Sequence, residues 1–335
     1  MKERDSYFDN AKFMLMVLVV FGHLIQPFIG DDGFVHDMYY TMFTFHMPAF
    51  ILISGFFSKN YRRPGYLWKS FKTFIVTYLV FQIIYSLYYW LFGNAGSFNV
   101  NFTVPHWSLW FLVSMFFWNA LLFLFGRLKP PIGLSLSFLI ALIAGYLPFI
   151  NRELTMQRTL VFFPFFLLGY YLSPKAFKKV QNNSARIKAA IGLVFVFCFI
   201  YVNESINKYW LFGSKPYEDF LSFPELGALV RGIVLLLGVI GIFSFLSFVP
   251  TKKTFFTDLG RHTFNVYLLH GFIVRIFRSF DFGGLQINFI GLLFILIFSF
   301  GITLLLGSQP VAEGMDYIRQ VPRNVYQRYQ RGRGN

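Results

Sequence analysis

Apolar residues run through this chain in long unbroken blocks rather than alternating with polar ones. A block of about 20 apolar residues is the length of a helix that crosses hydrocarbon. Continuous runs argue against the alternating pattern of a closed barrel. Ten blocks can be placed, at about 11–30, 38–58, 70–92, 107–126, 131–148, 158–173, 188–203, 228–249, 263–280 and 286–306. The sixth, seventh and ninth are short or interrupted. Backbone polar groups in lipid must be satisfied within the segment that carries them, so the blocks are expected to be helices. The expected fold is all-α: a polytopic membrane protein with about ten transmembrane helices. The sequence shows no internal repeat, soluble second domain or low-complexity linker.

Composition agrees. Of 335 residues 56% are hydrophobic and 22% aromatic, with 48 Phe and 19 Tyr, and only 13% are charged. A soluble domain carries about a quarter charged residues and could not hide so many rings, whereas in lipid an exposed ring is on the correct surface. The single cysteine, Cys198, excludes an intrachain disulfide and a cysteine metal site; it falls in an apolar run and is expected to face lipid or fill packing. The first block follows a charged head with no small-residue cleavage site after it, and is expected to be a retained helix rather than a signal peptide.

The net charge of +15 raises the question of nucleic acid, and its placement answers it. With the N-terminus inside, 23 of the 30 Lys and Arg fall in inside segments and seven outside, as the positive-inside rule requires. Both termini are therefore expected in the cytoplasm of a multi-pass cell-membrane protein. No nucleic-acid partner is implied. The division expected is a transmembrane domain at 1–309 and a basic cytoplasmic tail at 310–335, with Arg319 to Arg333 on anionic lipid head groups.

Ionisable residues inside spans are expensive and are functional candidates by default. In the first span Lys12 and His23 are eleven residues apart, about three turns plus roughly 20°, so they share a face about 16 Å apart along the axis. Asp9 precedes Lys12 by three and shares that face. In the second span His46 lies about 12 Å from the outer end, and His23 is expected at a similar depth in its own antiparallel helix. Pro48 frees a backbone carbonyl near Thr44. In the ninth span Thr263, Tyr267 and His270 form one stripe. The plainer alternative is that a lone intramembrane His bonds a carbonyl between helices, which applies most to His270 and His46. His36, His106 and His262 fall near span ends and are expected at the interface. Lys69 and Lys72 also suit ordinary cytoplasmic anchors. No span holds the His-x-x-x-His or His–carboxylate spacing of a metal site, so none is expected.

The ordered set of motifs resembles the acyltransferase-3 family of integral membrane acyltransferases, and within it the fucose 4-O-acetylase-like group. The residues that carry the resemblance are Lys12-x10-His23 with Asp9, Phe45-His46-Met47-Pro48 followed by Ser54-Gly55-Phe56, Trp110-Phe111-Leu112, Phe162 to Gly169, Leu259-Gly260-Arg261, and Tyr267 to His270. It covers roughly residues 5–275. One departure is Lys69-x-x-Lys72 where the family often has Arg-x-x-Arg; lysine keeps the charge but loses the bidentate fork.

The resemblance implies acyl transfer, usually acetyl, from cytoplasmic acetyl-coenzyme A to a hydroxyl of an envelope or lipid-linked glycan. The donor is a substrate, and no bound cofactor is implied. His23 and His46 are the expected catalytic residues, His23 taking the hydroxyl proton or carrying the acyl group itself. Lys12, Lys69 and Lys72 are expected to bind the anionic donor. Asp9 would position Lys12, Arg158 would meet the sugar or the transferring carbonyl, and His270 would support the site. Many relatives carry an added extracytoplasmic domain; here none is expected, so the chain would finish the reaction itself or hand the acyl group on. The competing readings are a carrier or flippase for a glycan or anion, and a scaffold without chemistry. Paired broken helices in two related halves would favour the carrier, and the sequence shows no such pairing.

Overall fold

The computed structural model describes residues 5–30, 33–92, 97–204, 206–280, 282 and 287–317. These residues are mostly helical, with no strand among them. The chain is an all-α polytopic membrane protein. Seven helices among the described residues are long and apolar enough to cross a membrane. Each of the ten expected spans has its helix, but three are shorter: residues 130–146, Met156–Tyr171 and Thr263–Ser279. The seventh, expected to be short, fills out to twenty residues because Asn182 caps it, its side chain accepting from the Ala185 amide at 2.8 Å. The fifth takes its place among the short ones. The basic tail beyond residue 317 lies outside the described residues.

Packing divides the chain into two compact units, residues 1–28 with 249–335, and 29–248. The first unit holds α1 (Ser6–Ile25), α12 (Thr263–Ser279) and α13 (Phe289–Leu306), joined through the segment 250–262. α1 starts five residues before the hydropathy boundary. Asp5 caps it, accepting from the Tyr7 amide at 3.0 Å, and the polar pair Asp9-Asn10 is buried. α1 ends at Ile25 and a 3-10 turn, Gln26–Phe28, closes it around Pro27. Phe13 stacks on Phe256 at 4.8 Å and meets the edge of Phe300 at 5.5 Å, fixing α1 to both the connecting segment and α13.

The second unit holds α2 (Phe34–Phe57), α3 (Tyr66–Ser70), a π-turn at Phe71–Val76, α4 (Thr77–Phe92), α5 (Trp110–Phe125), α6 (Pro130–Ile143), α7 (Met156–Tyr171), α8 (Pro174–Lys179), α9 (Asn183–Val202), α10 (Lys208–Phe212) and α11 (Gly227–Phe248). α2 and α7 approach closely through reciprocal glycines. A methyl group at Gly55 would run into the Phe166 carbonyl, and one at Gly169 into that of Leu52. Small residues at such crossings let backbones gain the van der Waals contact that replaces hydrophobic drive in lipid. The outward faces stay apolar: Ile187, Ile191 and Val194 on α9, and Phe289, Ile290 and Phe294 on α13, are exposed. In water these would be aggregation patches; for a membrane protein they are the lipid surface. Cys198 is exposed on α9.

Candidate active site

Two polar clusters form within the first unit, at opposite ends of α1. At its N-terminal end the three-residue spacing of Asp9 and Lys12 delivers an ion pair, Lys12 Nζ to Asp9 Oδ1 at 2.7 Å, with the carboxylate buried and the lysine side chain 20% exposed. Arg261 Nε lies 3.8 Å from the other Asp9 oxygen. Arg261 also pairs with Asp258 at 3.1 Å, and Asp258 with Lys253 at 3.0 Å. The Lys253 hydrogen bond and the Lys253 and Arg261 charges hold the Asp258 carboxyl below the ordinary carboxylate range. The loop can come this close because residue 260 is glycine; a Cβ there would collide with the Asp9 carbonyl.

Asn10 locks this arrangement, and sequence reasoning gave it no role. It is fully buried. Its amide nitrogen donates to the carbonyls of Pro250 and Lys252, both at 2.9 Å. Its oxygen accepts from the hydroxyls of Thr257 at 2.7 Å and Thr254 at 3.2 Å. One side chain thus satisfies four groups of a loop about 240 residues away in sequence, which no local pattern could show.

At the other end the His23 and His270 rings lie 5.8 Å apart, 24° from parallel. His270 is fully buried, with Nδ1 3.0 Å from the Val266 carbonyl. A carbonyl only accepts, so Nδ1 carries the proton, and in the neutral ring Nε2 holds the lone pair. Arg278, counted from the sequence only as an outside charge, donates from Nη2 to the His23 carbonyl at 2.8 Å and from Nε at 3.2 Å, and also to the Gln26 side chain. The last carbonyls of a helix lack intrahelical donors and carry its negative dipole end. A guanidinium there answers both and fixes the turn that presents His23.

A basic–acidic mouth, three helical turns, then an imidazole: this is the first-span motif drawn in three dimensions, and the family model for an acyltransferase domain matches residues 5–308. The chain belongs to the acyltransferase-3 family. It is similar to Nodulation protein NolL of Sinorhizobium fredii, with 24% identity over 309 residues, 84% of this chain and 81% of that one. A second Nodulation protein NolL, from Mesorhizobium japonicum, is 45% identical over 60 residues, 17% of this chain and 16% of its own length. No solved structure matches. The chain is therefore an acyltransferase, embedded in a membrane.

The other candidate residues of this acyltransferase belong to the second unit. His46 is buried, its Nδ1 2.9 Å from the Met42 carbonyl, one turn back as in His270, and its ring meets Phe43 edge-on at 4.4 Å. Its expected depth changes with the helix boundaries. α2 begins at Phe34, twelve residues before His46, while His23 is two residues from the end of α1. The matching count that set both histidines at one depth no longer holds, because α1 ends earlier and α2 starts earlier than hydropathy indicates. Lys69 and Lys72 are exposed where α3 passes into the π-turn, and Lys72 Nζ lies 5.0 Å from the Trp68 ring centre. Arg158 lies over Trp110 at 4.8 Å and lines a cavity of about 320 Å³. His36, the third residue of α2, is buried, paired with Asp37 at 3.1 Å and stacked on Tyr40 at 4.1 Å. Among the described residues no three metal-ligating side chains converge.

Proposed function

We infer that this acyltransferase moves acetyl from cytoplasmic acetyl-coenzyme A to a hydroxyl of a cell-envelope or lipid-linked sugar, from a multi-pass position in the cell membrane with both termini in the cytoplasm. The observation that carries the reading is the His23–His270 pair at 5.8 Å, held at the far end of the helix whose near end carries Lys12. His23 takes the proton of the acceptor hydroxyl. The hydroxyl oxygen attacks the thioester carbonyl, the C–S bond breaks, and the proton passes to the departing thiolate. Lys12 meets a donor phosphate at the cytoplasmic mouth, with Asp9 fixing its position, and Lys69 and Lys72 add positive charge for the same donor. His270 holds the His23 ring by stacking on it, and His46, a buried imidazole of the second unit, is the further catalytic candidate.

The test is alkali-labile acetate on purified envelope glycans, from cells lacking the endogenous gene and expressing wild type or His23→Ala at matched membrane levels. Wild type restores acetate and the variant loses at least 100-fold of it, the upper range of general-base contributions being about 10⁴. Full acetylation by His23→Ala would remove His23 from the chemistry. No acetate with either protein would mean a different acyl group or acceptor, or transport without transfer.

A further inference from the structure

Within the second unit, the cavity of about 320 Å³ that Arg158 lines is at the small end of ligand pockets, which run from about 300 to 1,000 Å³. Its described lining sets three cations, Arg152, Arg158 and Lys208, beside four aromatic rings, Trp107, Trp110, Tyr209 and Phe212, and contains no carboxylate. Glu153, next in sequence to Arg152, is exposed and is not part of the lining. The rings hold the cations in place. Arg158 lies over Trp110 at 4.8 Å, and Arg152 and Lys208 lie over Tyr209 at 5.9 and 5.8 Å. Lys215 adds a further cation at 4.5 Å from the same tyrosine ring.

The walls are built at a cost. Among the described residues, positive φ outside glycine occurs at Trp107 (28°), Leu154 (47°) and Thr155 (58°). Trp107 and Thr155 line the cavity and Leu154 adjoins it. For a β-branched or bulky residue this conformation is an outlier, and such strain persists only where the surroundings over-determine it. Here they do. The Leu154 amide donates to the Thr103 carbonyl at 2.6 Å, the Thr155 amide to that of Arg152 at 3.1 Å, and the Thr155 hydroxyl bonds that of Ser114 at 2.9 Å. Ser214, 3% exposed, also lines the cavity, and its hydroxyl has no hydrogen-bond partner among the described residues.

We propose that this cavity binds an anionic saccharide, one whose sugar carries a carboxylate or a phosphate. Guanidinium groups recognise either anion through paired N–H donors. The flat aromatic faces suit the C–H face of a sugar ring, and the buried Ser214 hydroxyl is a partner for a sugar hydroxyl. The identification of this saccharide as the acyl acceptor rests on the transfer reading above; the binding does not.

The experiment is equilibrium binding to the full chain in detergent, followed by tryptophan fluorescence with Trp107→Phe and Trp110→Phe as signal controls. The probes are trigalacturonate, galactose 1-phosphate, a neutral galactose trisaccharide and inorganic phosphate. At least one anionic sugar binds tenfold or more tightly than the neutral one and than phosphate alone. Which of the two does so separates a uronate from a phosphosugar. Arg152→Gln with Arg158→Gln erases that preference, while His23→Ala leaves it intact. Equal affinity for neutral and anionic sugars, an unchanged preference in the double variant, or inorganic phosphate binding as well as either sugar overturns the proposal. Binding that survives while no acyl transfer is found on any glycan leaves the cavity assigned and defeats only the transfer reading.

Discussion

The two ends of α1 solve the problem of polar groups in a membrane protein differently. At the Asp9 end, charge meets opposite charge and side-chain amide meets loop backbone: Lys12 and Arg261 on Asp9, Arg261 and Lys253 on Asp258, and Asn10 on four loop groups. At the His23 end, side chains meet main chain or each other: Arg278 on the His23 carbonyl, His270 on the Val266 carbonyl, and two imidazole rings face to face. The first end spends its polar atoms on holding a loop and aiming one lysine. The second spends backbone carbonyls on holding Arg278 and the His270 ring. An anchor and a chemical group call for these opposite arrangements.

The largest effect on rate expected inside this comparison, after loss of His23 itself, is at His270. His270→Ala removes the ring against which His23 is stacked and lowers kcat by about 30-fold, a loss of about 2 kcal/mol of transition-state stabilisation. Donor KM stays within twofold. A rate equal to wild type would reduce the pair to packing and leave His23 to act alone. A raised KM with unchanged kcat would move His270 from the chemistry to binding.

Asn10→Ala tests the anchoring end by stability rather than rate. It leaves two loop carbonyls and two hydroxyls to find new partners in a buried site, and each buried group left unsatisfied costs about 1–3 kcal/mol. With partial relaxation the expected loss is on the order of 3 kcal/mol, read as a lower thermal midpoint in detergent. A midpoint unchanged from wild type would mean that the loop is held by other contacts.

The contrast between the two ends also separates what the sequence could reveal from what it could not. The ten helices were legible because lipid tolerates only long apolar helices or closed barrels, and the Asp9–Lys12 pair because three-residue spacing on a helix is local geometry. The start of α1 was not legible from hydropathy. Asp9 and Asn10 register as polar, and Asn10 finds its partners on the 250–257 segment. Depth counting paired His23 with His46 because hydropathy ran the first span past Ile25 and began the second after Phe34; the ring shown against His23 within its own unit is that of His270, 247 residues further along the chain. Arg278 was hidden in a tally of outside charges, since its role is set by where α1 ends and not by its neighbours in sequence.

Lys12→Ala keeps the scaffold and removes the aimed charge. The expected outcome is a donor KM raised about tenfold with kcat nearly unchanged, which is the signature of lost ground-state binding. High salt should narrow the difference between wild type and variant, because a partly exposed charge is screened. A KM equal to wild type would remove Lys12 from the donor site and leave it as the counter-charge of a buried Asp9.

The smallest effect belongs to Asp258, which is exposed and paired twice. Its folded carboxyl titrates below the ordinary range, so its contribution to stability is present at pH above the unfolded value of about 3.9 and is lost as the pH falls through the depressed folded value. Asp258→Asn should therefore lower the thermal midpoint slightly at neutral pH, and the gap from wild type should close as the medium is acidified below about 3.9. Exposed ion pairs contribute little because solvent screens them and ordering two long side chains opposes them. A large loss at neutral pH would mean that Asp258, through Arg261, is needed to keep Asp9 and Lys12 in register, and would make the loop's surface pairs part of the anchor rather than its fringe.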